Sequence, residues 1–410
     1  MLREHAEIIY KGAIERSLPN SAVELALKDL PKYDGRLILV AIGKAAYQMA
    51  AAAKNALGEK IDSGIVITKY DHVKGELSGI ECLEASHPVP DENTLSATKR
   101  ALEITKNLSK DDLVLFLVSG GGSALFESVD CTLKELSELT SALLGCGASI
   151  GEINTVRKHL SNVKGGRFAQ HCMPARVFAV VLSDVLGDRL DMIASGPACA
   201  DQTTVQEALD ILSKYKIEPS AHILELLKRE TPKEITNAEH KITGSARELC
   251  IAAKEIAQSL GYEAKICADD VTCEARELGF ELAKIVRENK DTKKPLAFIY
   301  GGETVVYLKG NGLGGRNQEI ALAASTKITD LHNCVIVSVG SDGTDGPTDA
   351  AGGICDSTTA EKIAKSKKSA QEYLNNNDSY TALKHAGDLV ITGPTGTNVN
   401  DVAFVLIQPK

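Results

Sequence analysis

Several short strings in this 410-residue chain hold residue types that could do chemistry. Ser119-Gly120-Gly121-Gly122-Ser123 ends an apolar run from Leu113 to Val118. Three glycines strip the loop of Cβ atoms, so its backbone N–H groups can crowd a ligand, and glycine tolerates positive φ. Such a nest of amides at the carboxyl end of a strand suits an anion, most often a phosphate. The hydroxyls of Ser119 and Ser123 would add donors. The plainer reading is a tight strand-to-helix turn. Lys44 follows a strand and a glycine and opens a helix, where its ammonium could meet a carboxylate or phosphate. The spacing is not G-x-x-x-x-G-K-[ST], so this is not a P-loop, and a solvated turn is the alternative.

Ser183-Asp184-Val185-Leu186-Gly187-Asp188 sets two carboxylates just past another apolar strand. Aspartate there serves as a Mg²⁺ ligand or as the base that takes a hydroxyl proton. The same acids could simply cap a polar loop. Gly310-x-Gly312-x-x-Gly315 formally fits a dinucleotide fingerprint, but the strand before it reads as hairpin-like. The following Arg316 stands at a helix start, where its forked donors could clamp a carboxylate or a γ-phosphate. Asp342, Asp345 and Asp349 recur in a glycine-rich loop that reads as an Asx-rich turn or a metal site. Glu303 and the small polar run Gly393 to Asp401 are further candidates to line a cleft. A hydrolase triad is disfavoured: Ser119 lacks the G-x-S-x-G elbow and His87 precedes a proline. His159 and His171 read as structural or exposed.

The elements that must position these strings alternate strand and helix. Strands are expected at 36–42, 64–68, 80–85, the Ser119 strand and 177–182, and Asp91 and Ser149 are placed to cap helices. That alternation predicts a Rossmann-like, doubly wound parallel sheet, with Gly43-Lys44, the Ser119 loop and Ser183 to Asp188 at the carboxyl ends of its strands. Residues 203–239 read as polar helix, and the domain connection is placed there. Further strands are expected at 263–267, 296–300, 304–308, 334–339, 389–391 and 402–407. The domains are therefore 1–238, Rossmann-like, and 239–410, a smaller α/β domain.

A length of 410 residues favours two domains. An apolar fraction of 43% and a charged fraction of 25% are those of a soluble globular protein. No apolar run is long enough to span a bilayer, and the first residues lack the basic-then-apolar order of a signal peptide, so a cytoplasmic protein is expected. The ten cysteines form no C-x-x-C pair, which disfavours a zinc knuckle or iron–sulfur cluster and fits a reducing compartment. A net charge of −9 without a basic stripe argues against nucleic-acid or membrane partners.

Taken in order, the Ser119 loop, Leu182 to Asp188, Gly301 to Thr304, Gly314 to Glu319, Ser341 to Gly346 and Gly393 to Asp401 resemble the class II glycerate kinases. The type is the glycerate 2-kinase with a C-terminal MOFRL domain, and the resemblance covers essentially the whole chain. It implies an ATP- and Mg²⁺-dependent kinase of D-glycerate, leaning to the 2-phosphate, with the active site in the cleft between two domains. On that reading the amides of Ser119, Gly120, Gly121, Gly122 and Ser123 hold the ATP phosphates. Asp184 holds Mg²⁺ or orients the attacking hydroxyl, supported by Asp188, while Lys44 and Arg316 grip the glycerate carboxylate and the transferring phosphoryl. A homo-oligomer stays open. Two other classes compete: an NAD(P)-dependent reductase of hydroxypyruvate or tartronate semialdehyde, from the Gly310 fingerprint, and a non-catalytic small-molecule sensor.

Overall fold

In the computed structural model the described residues are 1–183 and 189–409. Two compact units divide the chain, one Pro19–Thr243 and the other Met1–Leu18 with Gly244–Lys410.

The first unit is built on a six-stranded sheet of β1 (Leu37–Ile42), β2 (Ser63–Lys69), β3 (Ile80–Ala85), β4 (Leu113–Val118), β5 (Arg176–Leu182) and β6 (Ala238–Gly244). The order is β3-β2-β1-β4-β5-β6, and each pair from β3 to β5 is parallel. This is a doubly wound order. Every residue of β1 and β4 is buried, as an unbroken apolar run requires when helices cover both faces. Alternate β1 residues serve opposite cores: Ile38, Val40 and Ile42 pack with Ala97 and Ala101 of helix Glu92–Ile104, while Leu37, Leu39 and Ala41 pack with Met49, Ala50 and Ala53 of helix Ala46–Leu57. Asp91 caps its helix through the Thr94 amide, and Ser149 and Glu152 form the expected reciprocal box. Pro19 is the first residue of helix Pro19–Ala26, where a missing N–H costs nothing. The edge strand β6 went unpredicted, because its half-polar sequence is only partly buried.

The second unit carries a mixed sheet of β7 (Glu263–Val271), β8 (Leu296–Gly302), β9 (Cys334–Gly340), β10 (Gly352–Cys355), β11 (Leu389–Val390) and β12 (Asp401–Ile407). Its order is β11-β10-β9-β12-β8-β7, parallel only between β7 and β8. Helix Leu2–Arg16 belongs to this unit, since Ala6, Ile9 and Ala13 share a core with Leu249, Ala253 and Ala257 of helix Ala246–Ser259. The observed units thus differ from the expected domains 1–238 and 239–410 in the placement of that first helix and by a few residues at the connection. The strand expected at 304–308 is not formed. Val305 makes one isolated bridge to Glu274, and Tyr307 and Leu308 are 62% and 77% exposed. The chain is pinned instead by Asn377, whose Oδ1 accepts from the amides of Lys309 and Gly310 at 2.7 and 3.1 Å.

Candidate functional site

In the first unit the site grows from neighbouring parallel strands. β1 and β4 run side by side in the middle of the sheet, with Ile42 opposite Val118. The strand order turns there, since β2 follows β1 on one side while β4 lies on the other. A crevice at the carboxyl ends of such a pair is where open α/β sheets take ligands. Gly43-Lys44 leaves β1 and Ser119 to Ser123 leaves β4, so the structure brings together two of the expected strings.

The two strand ends are latched. The Lys44 amide donates to the Gly120 carbonyl at 2.9 Å, and the Ala45 amide donates to Ser119 Oγ at 3.0 Å. Gly43 has φ +110°, and a Cβ there would lie 2.4 Å from the Ser119 carbonyl oxygen, so only glycine allows this approach. Ser119 is buried, and its hydroxyl donates back to the Ile42 carbonyl at 3.3 Å. The expected donor role of the Ser119 hydroxyl is therefore corrected: its proton is spent inside the fold. The Ser123 hydroxyl is also engaged, 2.9 Å from Ser195 Oγ. Gly122 donates its amide to the Ser119 carbonyl at 3.3 Å. The amides of Gly120, Gly121 and Ser123 have no hydrogen-bond partner among the described residues and are the donors left for an anion. The Lys44 side chain is exposed and makes no ion pair among the described residues. Its Cε would lie 3.1 Å from a Cβ on Gly121, and His87 Cδ2 would lie 3.0 Å from it, so ammonium, imidazole and glycine loop are neighbours.

Sequence reasoning missed what stands behind this loop. Arg157 Nη2 donates to the Ser123 carbonyl at 2.9 Å and lies 3.5 Å from Glu127, which pairs with the wholly buried Lys164 at 2.7 Å. Burial pulls the Lys164 pKa down to about 8 against the pull of Glu127. Asn154 accepts from Ser195 at 3.3 Å. Asn154 and Arg157 lie on the inward side of helix Ile150–Leu160, where pattern reading expects apolar residues. His159 is buried against the Thr155 carbonyl and His171 bonds the Leu102 carbonyl, both structural as expected. Asp184 and Asp188 lie outside the described residues.

In the second unit the relevant strings meet at one end of the mixed sheet. β12 is antiparallel to β8 and β9, so Asp401 starts opposite Gly302 and Gly340, where those strands end. Glu303 follows β8, and helix Arg316–Ser325 begins beside them. The Arg316 guanidinium donates to Asp401 at 2.5 and 3.0 Å and to Glu303 at 2.9 Å. Burial acts to lower the Arg316 pKa, but the hydrogen bond and charge of Asp401, with Glu303, outweigh it and raise it. Burial raises the pKa of Asp401, opposed by Arg316. Three of the five guanidinium N–H groups are thus used, and two have no partner among the described residues. The buried Asp345 caps the same helix, accepting from the amides of Asn317 and Gln318 at 3.1 and 2.8 Å.

The glycine fingerprint has a different purpose from nucleotide binding. A Cβ at Gly310 or Gly312 would lie 2.4 Å from Asn376 or Asp378 side-chain atoms, and one at Gly315 would lie 2.3 Å from Asp345 Cγ. These glycines let two protein segments touch. Asp342 accepts from the Thr344 amide, as a turn residue does, and Asp349 from the Tyr380 hydroxyl, so the three loop aspartates have separate partners. Among the described residues no group of three or more His, Cys, Asp or Glu side chains is arranged to hold a metal. No helix among them is long and apolar enough to cross a membrane.

Residues 5–228 match the model described as "Domain of unknown function (DUF4147)", and residues 296–401 match the MOFRL family. A Thermotoga maritima protein named D-glycerate 2-kinase is 52% identical over 99% of this chain and 98% of its own length. A crystal structure of glycerate kinase from Thermotoga maritima superposes with a TM-score of 0.93 at 52% identity, covering 99% of each chain. An Agrobacterium vitis relative, 38% identical over 97% of this chain and 93% of its own, is provisionally named a hydroxypyruvate reductase. With its two matched regions in this order and relatives alike from end to end, the chain belongs to the class II glycerate kinase family, the glycerate 2-kinase type with a C-terminal MOFRL domain.

Proposed function

We propose that this protein transfers the γ-phosphoryl group of ATP to the C2 hydroxyl of D-glycerate, giving 2-phosphoglycerate and ADP, in the cytoplasm. The observation that carries the reading is an exposed lysine beside two glycine amides, all without a partner among the described residues, at the turning point of a doubly wound sheet, in a chain of this family. Phosphoryl transfer asks a protein for positioning and charge neutralisation more than for covalent chemistry. The Gly120 and Gly121 amides suit the nucleotide phosphates, with Gly122 holding the loop in shape. Lys44 supplies a mobile point charge for the glycerate carboxylate. Arg316, its fork set by Asp401 and Glu303, offers its two remaining N–H groups to the transferring phosphoryl. The glycerate oxygen forms the new P–O bond as the bond to ADP breaks, and the hydroxyl proton passes to a carboxylate, for which Asp184 is proposed.

Mg²⁺ takes oxygen ligands and is commonly held by one or two carboxylates together with substrate phosphates. Asp184 and Asp188 are carboxylates of that kind and are proposed to hold it, neutralising phosphate charge. The provisional reductase name of one relative favours no second reading at the site, because the glycines of the fingerprint are filled by Asn376, Asp378 and Asp345.

The test is a coupled ADP-release assay with ATP, Mg²⁺ and D-glycerate, the product position read by ³¹P NMR. Turnover that needs all three components, with the 2-phosphate as product, is expected. NADH oxidation on hydroxypyruvate, without ADP release on glycerate, would overturn the reading.

A further inference from the structure

The chain of hydrogen bonds behind the glycine loop has a direction. Asn154 Oδ1 is buried and can only accept, and its Nδ2 side is turned toward Met192 Sδ at 3.9 Å. Ser195 Oγ donates to that oxygen at 3.3 Å. A hydroxyl has one proton, so Ser195 has none left for Ser123, and the 2.9 Å bond between them is donated by Ser123. The reverse order would leave the Asn154 oxygen buried without a donor, which costs more than either hydrogen bond returns. Ser123 Oγ, partly exposed, therefore presents lone pairs and no proton.

The protein holds this arrangement against a backbone cost. Ala194 and Ser195 have φ +51° and +59°, a region that residues with side chains rarely adopt. Ser195 is fully buried and fixed on both sides, its amide on the Met192 carbonyl and its carbonyl on the Gly165 amide, each at 3.0 Å. Arg157 fixes the Ser123 backbone from behind at 2.9 Å. A hydroxyl oriented by a strained, over-determined neighbour is a preorganised acceptor.

Phosphate oxygens are acceptors and would repel it. We propose that Ser123 Oγ accepts a hydrogen bond from a non-reacting alcohol hydroxyl of a bound substrate, and so is a specificity-determining residue. This rests on the kinase reading. The hydroxyl is either the C3 hydroxyl of the acid or a ribose hydroxyl of the nucleotide.

The experiment compares wild type, Ser123→Ala and Ser195→Ala by isothermal titration and by kcat/KM, using D-glycerate against D-lactate and ATP against 2′-deoxy- and 3′-deoxy-ATP. Wild type should prefer the hydroxyl-bearing member of one pair by roughly tenfold or more, since a site built to bond a hydroxyl rejects the analogue lacking it. Ser123→Ala should lose that preference by weakening only the hydroxyl-bearing partner, and Ser195→Ala, which frees the Ser123 proton, should reduce it. The pair affected identifies the source. Equal loss on both members of every pair, no wild-type preference, or weaker inhibition of Ser123→Ala by tripolyphosphate would overturn the proposal. Absence of ADP release by wild type would instead remove the kinase reading, while the titrations would still read the preference.

Discussion

Arg316 and Asp401 form a forked ion pair, Nε 2.5 Å from Oδ2 and Nη2 3.0 Å from Oδ1, that joins the start of a helix to the start of β12. Asp401 is 8% exposed and Arg316 33%, and Glu303 accepts from Nη1 of the guanidinium at 2.9 Å. The pair fixes the plane of the guanidinium before any ligand arrives. Lysine offers no fork, so Arg316→Lys keeps the charge and loses the geometry. Arg316→Ala should lower kcat/KM roughly 10³-fold or more, as removing a transition-state arginine does, and Arg316→Lys should recover little of it. A loss below tenfold in steady-state kinetics would take Arg316 off the catalytic list. Asp401→Asn should destabilise the protein by about 1–3 kcal/mol in denaturant titration, less than a fully buried pair because Arg316 is partly solvated.

Lys44 is the opposite case. Its side chain is exposed and has no ion-pair partner among the described residues. Lys44→Ala should therefore leave stability within about 0.5 kcal/mol, as surface substitutions do. If the ammonium neutralises substrate charge, kcat/KM should fall roughly 10²-fold or more. Thermal melting and steady-state kinetics on one preparation separate the two effects, and a fall in both would recast Lys44 as structural.

Gly315 lies where a Cβ would stand 2.3 Å from Asp345 Cγ and 2.4 Å from its backbone carbonyl carbon. Neither atom is the free end of a flexible side chain, so Gly315→Ala must push the 345 loop away from helix Arg316–Ser325. Overpacking of this kind costs about 1–3 kcal/mol. Urea denaturation of Gly315→Ala should show that loss, whereas Gly145→Ala, which meets no atom within 4 Å and is free of positive φ, should lose less.

The first sheet was legible because β1, β4 and β5 are apolar on both faces and end in glycine or serine, a pattern that few other structures share. The site strings were legible for the same reason: they stand where those runs stop. What pattern reading could not see was the partner of each polar group. Ser119 and Ser123 looked like donors because a sequence names a hydroxyl without saying where its proton goes. Asn154 and Arg157 gave no signal, because an amide or a charge on a helix is normally outside. Asp345 read as a turn residue, and only its contact with the amides of Asn317 and Gln318, across 28 and 27 positions of chain, shows it to be a helix cap. The segment 304–308 was misread because alternating apolar residues suggest a strand even where one bridge is all the pairing available.

Asp345 also couples this cap to pH. Burial pushes its carboxyl up to about 7, although the amides of Gln318 and Asn317 pull the other way. An aspartate in the unfolded chain titrates near about 4. Between these values the folded protein holds a proton that the unfolded chain has released, so stability falls as pH rises across the interval. The contribution is full below about 4 and is lost as pH passes through about 7. Asp345→Asn cannot ionise and should lack this decline. The variant should melt below wild type at pH 5, because its amide offers one acceptor oxygen to two N–H groups, and the gap should narrow by ~3 °C or more at pH 8, corresponding to roughly 1 kcal/mol. Melting curves for both proteins at pH 5, 6, 7 and 8 decide it: a gap independent of pH would mean that Asp345 stays ionised throughout, with the helix amides outweighing its burial.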